Sequence, residues 1–341
     1  MVSRGPLGII ACEAGRPFAE KVAGFLKQIA VKENAENHIK IIDAKETHFA
    51  NTEIKTEINE SIRGYDIFIV QAVENSTLPY SINDNLMALL SAIDAARRCD
   101  AHYITAILPV FPYARQDKSL VREGITASMI AKLLEDAGAD RIVTLDVHNE
   151  AIAGFLRAAK FENLHASKNI IEFIRTSIGT ANLVVVSPDV GGARRANHYA
   201  KELNAGLAMI HKERDYSSPS QIEKVTLLGN VDGKNVLLVD DMIGTGGTAV
   251  KTIELLREEH KPKEIHFACS LPLLNGKAKE LLAKAHKEGI LTSVIGTDAV
   301  YHGGDEFLKA NPWYKEVSVA KYFARVIFNI NHYRSLSELM R

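Results

Sequence analysis

Short apolar runs of strand length alternate along this chain with amphipathic stretches of helical length, the pattern of a parallel or mixed sheet covered by helices. The fold class it predicts is α/β. In the first half, strands are expected at Leu7 to Cys12, Asp66 to Gln71, Tyr103 to Leu108 and Arg141 to Leu145. A helix is expected over Asn85 to Arg98, with Leu86, Leu89, Leu90 and Ile93 on one stripe and Asp84 placed near its start. Thr126 to Ala137 reads as another, closed by Gly138, where a helix C-terminus favours glycine.

The second half repeats the alternation. Strands are expected at Asn182 to Val186, Gly206 to Ile210, Val236 to Val239, Ile265 to Leu271 and Leu291 to Ile295. Helices are expected at Ile170 to Ser177, Ala193 to Leu203, Ala249 to Glu258 and Gly276 to His286. Two similar halves imply two domains, 1–164 and 165–341, with no Pro- or Ser-rich linker between them.

Composition sets bounds on partners. The 341 residues carry 41 Lys plus Arg against 42 Asp plus Glu, so no global field recruits nucleic acid or an anionic membrane. Any phosphate site must be local. No apolar run approaches the roughly 18 to 20 residues of a membrane span, and MVSRGPLGIIACEAG lacks a signal peptide's apolar segment, so a cytoplasmic protein is expected. Cys12, Cys99 and Cys269 form no CxxC pair; each is expected to be a small buried hydrophobe rather than part of a disulfide or zinc framework.

The strongest local chemistry is VLLVDDMIGTGGT, Val236 to Thr248. An apolar strand delivers Asp240 and Asp241 to its C-terminal end, and a glycine-rich turn then feeds a helix. Gly244, Gly246 and Gly247 let backbone N–H groups converge, Thr245 and Thr248 add hydroxyls, and the helix start adds positive potential: together a phosphate cradle. The two carboxylates suit ribose hydroxyls. VVVSPDVGGARR, Val184 to Arg195, has the same design, with Asp189 and the Gly191-Gly192 turn suited to Mg2+ and phosphate oxygens. In His211-Lys212-Glu213-Arg214, at another strand end, Lys212 and Arg214 are two apart and can clamp one anion; the polar stretch from Asp215 to Ser220 follows.

The first half offers weaker pieces. Phe111 to Lys118, FPYARQDK, is kept from regular helix by its prolines; there Arg115 can reach phosphate or stack on a purine, and Gln116 can read an adenine edge. Phe49-Ala50-Asn51-Thr52-Glu53 combines an aromatic face with polar groups suited to a base and its ribose. His148 ends a strand, where a neutral imidazole can bind a metal.

Taken with RGYDIFIVQ (Arg63 to Gln71), INDNLMALL (Ile82 to Leu90) and AGADRIVTLDVH (Ala137 to His148), these motifs resemble the ribose-phosphate pyrophosphokinases over most of the chain. The resemblance implies two tandem phosphoribosyltransferase-like domains, a homohexamer, and a nucleotide site completed by a neighbouring subunit. It implies Mg2+-dependent diphosphoryl transfer from ATP to ribose 5-phosphate. Phe49, Asn51, Thr52, Glu53, Arg115 and Gln116 would bind ATP, and His148 and Asp189 would hold Mg2+. Asp189, Gly191 and Gly192 would form the pyrophosphate loop, and Lys212 with Arg214 would be catalytic. Arg214, Asp240, Asp241 and Gly244 through Thr248 would bind ribose 5-phosphate.

Some stretches depart from that family's pattern. Gly244 stands where it commonly has Asp, Ala72 to Ser81 is longer, and Val300 to Lys315 reads as an extra loop carrying Trp313. His332 to Arg341 differs from the family's usual ending, and Asn149 and Glu150 follow His148, so control by phosphate and ADP is expected to be weakened or altered. A non-catalytic regulatory homologue and a salvage phosphoribosyltransferase are the alternatives.

Overall fold

The computed structural model describes residues 2–35, 39–214 and 223–340, with backbone alone for 212–214, 223–225 and 340. It divides into two compact units: Met1–His165 with Asp298–Gly303 and Ser318–Arg341, and Ala166–Thr297 with Gly304–Val317.

In the first unit the chain forms β1 (Leu7–Ala11), α1 (Arg16–Lys32), β2 (Ile39–Ile41), β3 (Ala44–His48), β4 (Ile54–Ile58), β5 (Asp66–Val70) and α2 (Ile82–Arg98). It continues as β6 (Tyr103–Leu108), α3 (Thr126–Ala137), β7 (Arg141–Leu145) and β8 (Lys160–Leu164). Six strands make one parallel sheet in the order β2-β1-β5-β6-β7-β8, and β3 and β4 form a separate antiparallel hairpin. The continuous apolar runs of β1, β5 and β7 are buried along their whole length, as parallel strands covered on both faces must be.

Local chemistry sets the helix ends. α2 begins before the expected Asn85 because Ser81 and Asp84 form a capping box: the Asp84 N–H donates to Ser81 Oγ at 3.2 Å, and the Ser81 N–H to the Asp84 carboxylate at 2.8 Å. α3 ends at Gly138, whose φ is 114°. α1 was not among the expected helices, although Phe18, Val22, Leu26 and Ile29 are spaced along one buried face.

The second unit opens with α4 (Ser167–Phe173), which passes into a π-turn at Ile174–Ile178. There follow β9 (Leu183–Ser187), α5 (Ala193–Leu203), β10 (Gly206–Arg214), β11 (Glu223–Leu228), β12 (Asn235–Ile243) and α6 (Gly247–Glu259). Next come β13 (Glu264–Pro272), α7 (Ala278–Lys287), β14 (Ser293–Thr297), α8 (Asp305–Ala310) and β15 (Tyr314–Val317). The seven-stranded sheet runs β11-β10-β9-β12-β13-β14-β15 and is parallel except for the β10–β11 pair. The expected extra loop at 300–315 is mostly ordered structure. α8 and β15 extend the sheet edge, and Trp313 is buried, edge-on to Phe307 at 6.5 Å and to Tyr314 at 5.9 Å.

Past the break between His165 and Ala166, the final segment leaves the second unit and rejoins the first. α9 (Ala320–Asn331) belongs to the first unit, where it packs along α1 with Phe323 edge-on to Phe18 at 5.2 Å. Arg325 and Arg334 both donate to Glu33, at 2.7 and 2.9 Å, and the buried Asn331 amide donates to Asp66 at 3.0 Å. An apolar stripe announces that a helix must be covered and does not say by which core. The cysteine expectation holds for Cys12 and Cys269, whereas Cys99, at the C-cap of α2, is exposed because it follows the last buried turn. Among the described residues no helix is long and apolar enough to cross a membrane.

Candidate active site

In the second unit's sheet, β9 and β12 are parallel neighbours, and the chain leaves them in opposite directions, through α5 to β10 and through α6 to β13. That reversal is a topological switch point, so the turns after the two strands open a crevice at their carboxyl ends. Both glycine-rich motifs of this half lie there.

After β12, Gly246 takes φ 78° as the N-cap of α6, and a Cβ on it would stand 3.1 Å from Ala278 Cα. Glycine is required on both counts. The Val250 N–H bonds to Gly246 O at 2.9 Å, starting the helix. Neither a side-chain cap nor a first-turn carboxylate answers the α6 N-terminus, leaving its N–H groups and positive potential for an anion. Thr245 and Thr248 are exposed, and Gly244 accepts from the Asn275 N–H at 2.9 Å.

After β9, the turn is fastened by Ser187 Oγ donating to Asp189 O at 2.6 Å and by the Gly192 N–H donating to Asp189 Oδ1 at 2.8 Å. A Cβ on Gly192 would stand 2.8 Å from Ser187 Oγ. One carboxylate oxygen of the exposed Asp189 is thus committed to the turn, and the other is left for a ligand. Such a set suits a hard divalent ion that keeps waters and phosphate oxygens in its shell.

The acid pair sits between these turns. Asp241 is buried, and Asp240 Oδ1 accepts the Asp241 N–H at 2.8 Å. Arg195 from α5 reaches Asp240 at 3.2 Å and Asp241 at 3.9 Å. Burial first, and the adjacent Asp241 charge second, push Asp240 up to about 7, so the pair holds a proton near neutrality. Sequence reading placed Arg195 at a helix start without a partner. No local signal joins it to carboxylates 45 residues away.

Lys212 and Arg214 lie near the end of β10, which runs past the expected Ile210 because β11 hydrogen-bonds along it, Lys212 opposite Val225 and Arg214 opposite Glu223. Their alternation puts them on one face of the strand. Their side chains, and the stretch 215–220, lie outside the described residues.

In the first unit, Phe49, Asn51, Thr52 and Glu53 form the exposed tip of the β3–β4 hairpin, with Phe49 47% accessible. Thr52 has φ 69°, the Phe49 N–H donates to Glu53 O, and the Glu53 N–H donates to Asn51 Oδ1 at 3.2 Å. Arg115 and Gln116 are exposed in the loop after β6. Gln116 is partly spent: its side-chain carbonyl accepts from Thr126 Oγ1 at 2.6 Å, and its backbone carbonyl accepts from the Ala127 N–H, together fastening the start of α3. Its amide N–H groups and the second lone pair of its side-chain carbonyl remain to read a base. His148 is exposed just beyond β7, and Asp146 before it, at φ 40°, lies 2.9 Å from His165 Nδ1. Glu150 stands 3.8 Å from His165 Nε2.

Residues 7–138 match the family model described as the N-terminal domain of ribose phosphate pyrophosphokinase, and residues 159–302 match the phosphoribosyl transferase domain. The ribose-phosphate pyrophosphokinase of Chlorobaculum tepidum is 38% identical over 335 residues, 98% of this chain and 95% of its own. That of Campylobacter jejuni is 36% identical over 97% of this chain and 98% of its own. The crystal structure of phosphoribosylpyrophosphate synthetase from Mycobacterium smegmatis superposes with a TM-score of 0.82 at 35% identity, covering 95% of this chain and 98% of that one.

Proposed function

This chain belongs to the ribose-phosphate pyrophosphokinase family, and on that premise we propose that it moves the β,γ-diphosphoryl group of ATP to the 1-hydroxyl of ribose 5-phosphate. The products are 5-phosphoribosyl 1-diphosphate and AMP, for use in nucleotide biosynthesis. The observation that carries the reading is the pair of glycine-bearing turns at one switch point, with an acid pair between them. The open N–H groups at Gly247 and Thr248 receive the sugar phosphate, and Asp240 and Asp241 accept from its ribose hydroxyls. Lys212 and Arg214 supply positive charge where the phosphate oxygens develop it. Phe49, Asn51, Thr52, Glu53, Arg115 and Gln116 take the nucleotide.

Membership in the family implies a divalent metal, and we assign it as Mg2+. The residues we assign to it are Asp189 and His148. When bound, such an ion neutralises charge on the transferring phosphates. We further propose a cytoplasmic homo-oligomer. Met87 on α2 and Met129 and Leu133 on α3 are 53%, 53% and 40% accessible, apolar side chains on neighbouring helices that a second copy would cover.

Purified chain given ATP, ribose 5-phosphate and Mg2+ should release AMP and 5-phosphoribosyl 1-diphosphate in equal amounts, and no AMP when the sugar is omitted. The Lys212→Ala variant should fold and bind ATP, yet turn over on the order of 100- to 1,000-fold more slowly. Sugar-independent AMP release would sink the reaction, and near-normal turnover by the variant would remove the role given to Lys212.

A further inference from the structure

Away from the phosphate turns, three donors meet where β3 of the hairpin passes the turn between β1 and α1. Glu13 lies in the turn between β1 and α1, while Glu46 and His48 alternate on β3 and so project to one side. One ligand atom from each lies within 4.8 Å of the others. His48 Nε2 stands 2.7 Å from Glu46 Oε1 and 3.6 Å from Glu13 Oε2. Donors about 2.1 Å from a tetrahedral metal are about 3.4 Å apart, so modest rotations of side chains already in place would admit an ion.

The group is oriented from outside itself. The second Glu46 oxygen accepts the Glu13 backbone N–H at 3.0 Å. Tyr80 lies face to face on the His48 imidazole, 3.8 Å between centroids and 3° between planes, which holds the ring edge toward the carboxylates. Tyr80 comes from the stretch 72–81 that leads into α2.

Charge points the same way. The Glu46 and His48 side chains are only 7% and 17% exposed, and among the described residues the ion pairs of Glu13 and Glu46 are with His48 alone. Two carboxylates facing one imidazole offer a divalent ion opposite charge as well as ligand atoms.

We propose that Glu13, Glu46 and His48 bind a first-row transition cation of the Zn2+ type, separate from the ion that accompanies the phosphates. Imidazole with two carboxylates is a donor set for such a cation, whereas Mg2+ and Ca2+ prefer oxygens throughout, and three protein donors leave a fourth position for water. Nε2 of the imidazole would take the metal while Nδ1 carries the ring proton, and the ion would tie the β1–α1 turn to the hairpin.

Untagged full-length chain, stripped with a chelator and free of nucleotide, is dialysed against Zn2+ and, separately, Co2+, with bound metal counted by elemental analysis. One equivalent per chain is expected, with the visible absorption of low-coordinate Co2+. Affinity should fall at least tenfold in Glu46→Gln and in His48→Gln, and stay unchanged in Asp189→Ala. Circular dichroism checks that each variant is folded. Glu13→Gln, at a side chain 41% exposed, repeats the test with little structural risk. No bound Zn2+ in the folded parent chain, or undiminished affinity in folded Glu13→Gln and Glu46→Gln, overturns the site. Since no substrate is present, the result stands whatever the turnover assay reports.

Discussion

Asp240 shows how one side chain can work against its own fold. Its pKa is raised from the ordinary 3.8 to about 7, so the folded chain keeps a proton that the unfolded chain has given up. Stability from this group is full below about pH 4 and lost as pH rises to about 7. Asp240→Asn should therefore be more stable than the parent chain above pH 7, by on the order of 1 to 3 kcal/mol after allowing for partial exposure and the lost Arg195 pair. The gain should shrink toward pH 4, and ribose 5-phosphate binding should weaken at every pH. Urea unfolding at pH 5 and pH 8, with sugar-phosphate titrations, checks both. A variant less stable than its parent at pH 8 contradicts the assignment of cause. The carboxylates were legible in the sequence as two acids ending an apolar strand. Arg195 between them was not, because a salt bridge across 45 residues leaves no periodicity.

At the scale of elements, the turn before α6 was readable because glycine there answers a local demand. Gly246→Ala forces a Cβ into φ 78° and to 3.1 Å from Ala278. It should cost on the order of 1 to 3 kcal/mol in stability and raise the KM for ribose 5-phosphate, measurable by denaturant unfolding and steady-state kinetics. Unchanged stability and KM would show that the turn tolerates another shape. The ends of α3 were legible to the residue, as was α5, since α3 meets a left-handed glycine and α5 follows the Gly191-Gly192 turn. The hairpin of β3 and β4 was missed. β3 carries a single apolar residue, Ala44, β4 carries only Ile54 and Ile58, and neither strand has a fully buried position, so the register depends on the pairing of the two strands rather than on a buried run.

At the scale of the molecule, α9 returns to the first unit, where it covers α1. Phe323→Ala removes a fully buried ring and should destabilise that unit by about 3 to 5 kcal/mol. Hydrogen exchange should then quicken in α1, β1 and β5 while β12 and β13 stay protected. Equal quickening in both units would mean that the two unfold as one.

What the amino-acid order determined by itself was everything that depends on neighbours within about ten positions. That covers the α/β alternation and the two glycine turns with their acids. Only the tertiary structure decided which core α9 joins, that β9 and β12 lie side by side, that Arg195 bridges the acid pair, and that Glu13, Glu46 and His48 share one corner. Hydrophobic periodicity records that a face must be buried and carries no record of its partner. The partner is chosen by shape and charge once distant segments meet.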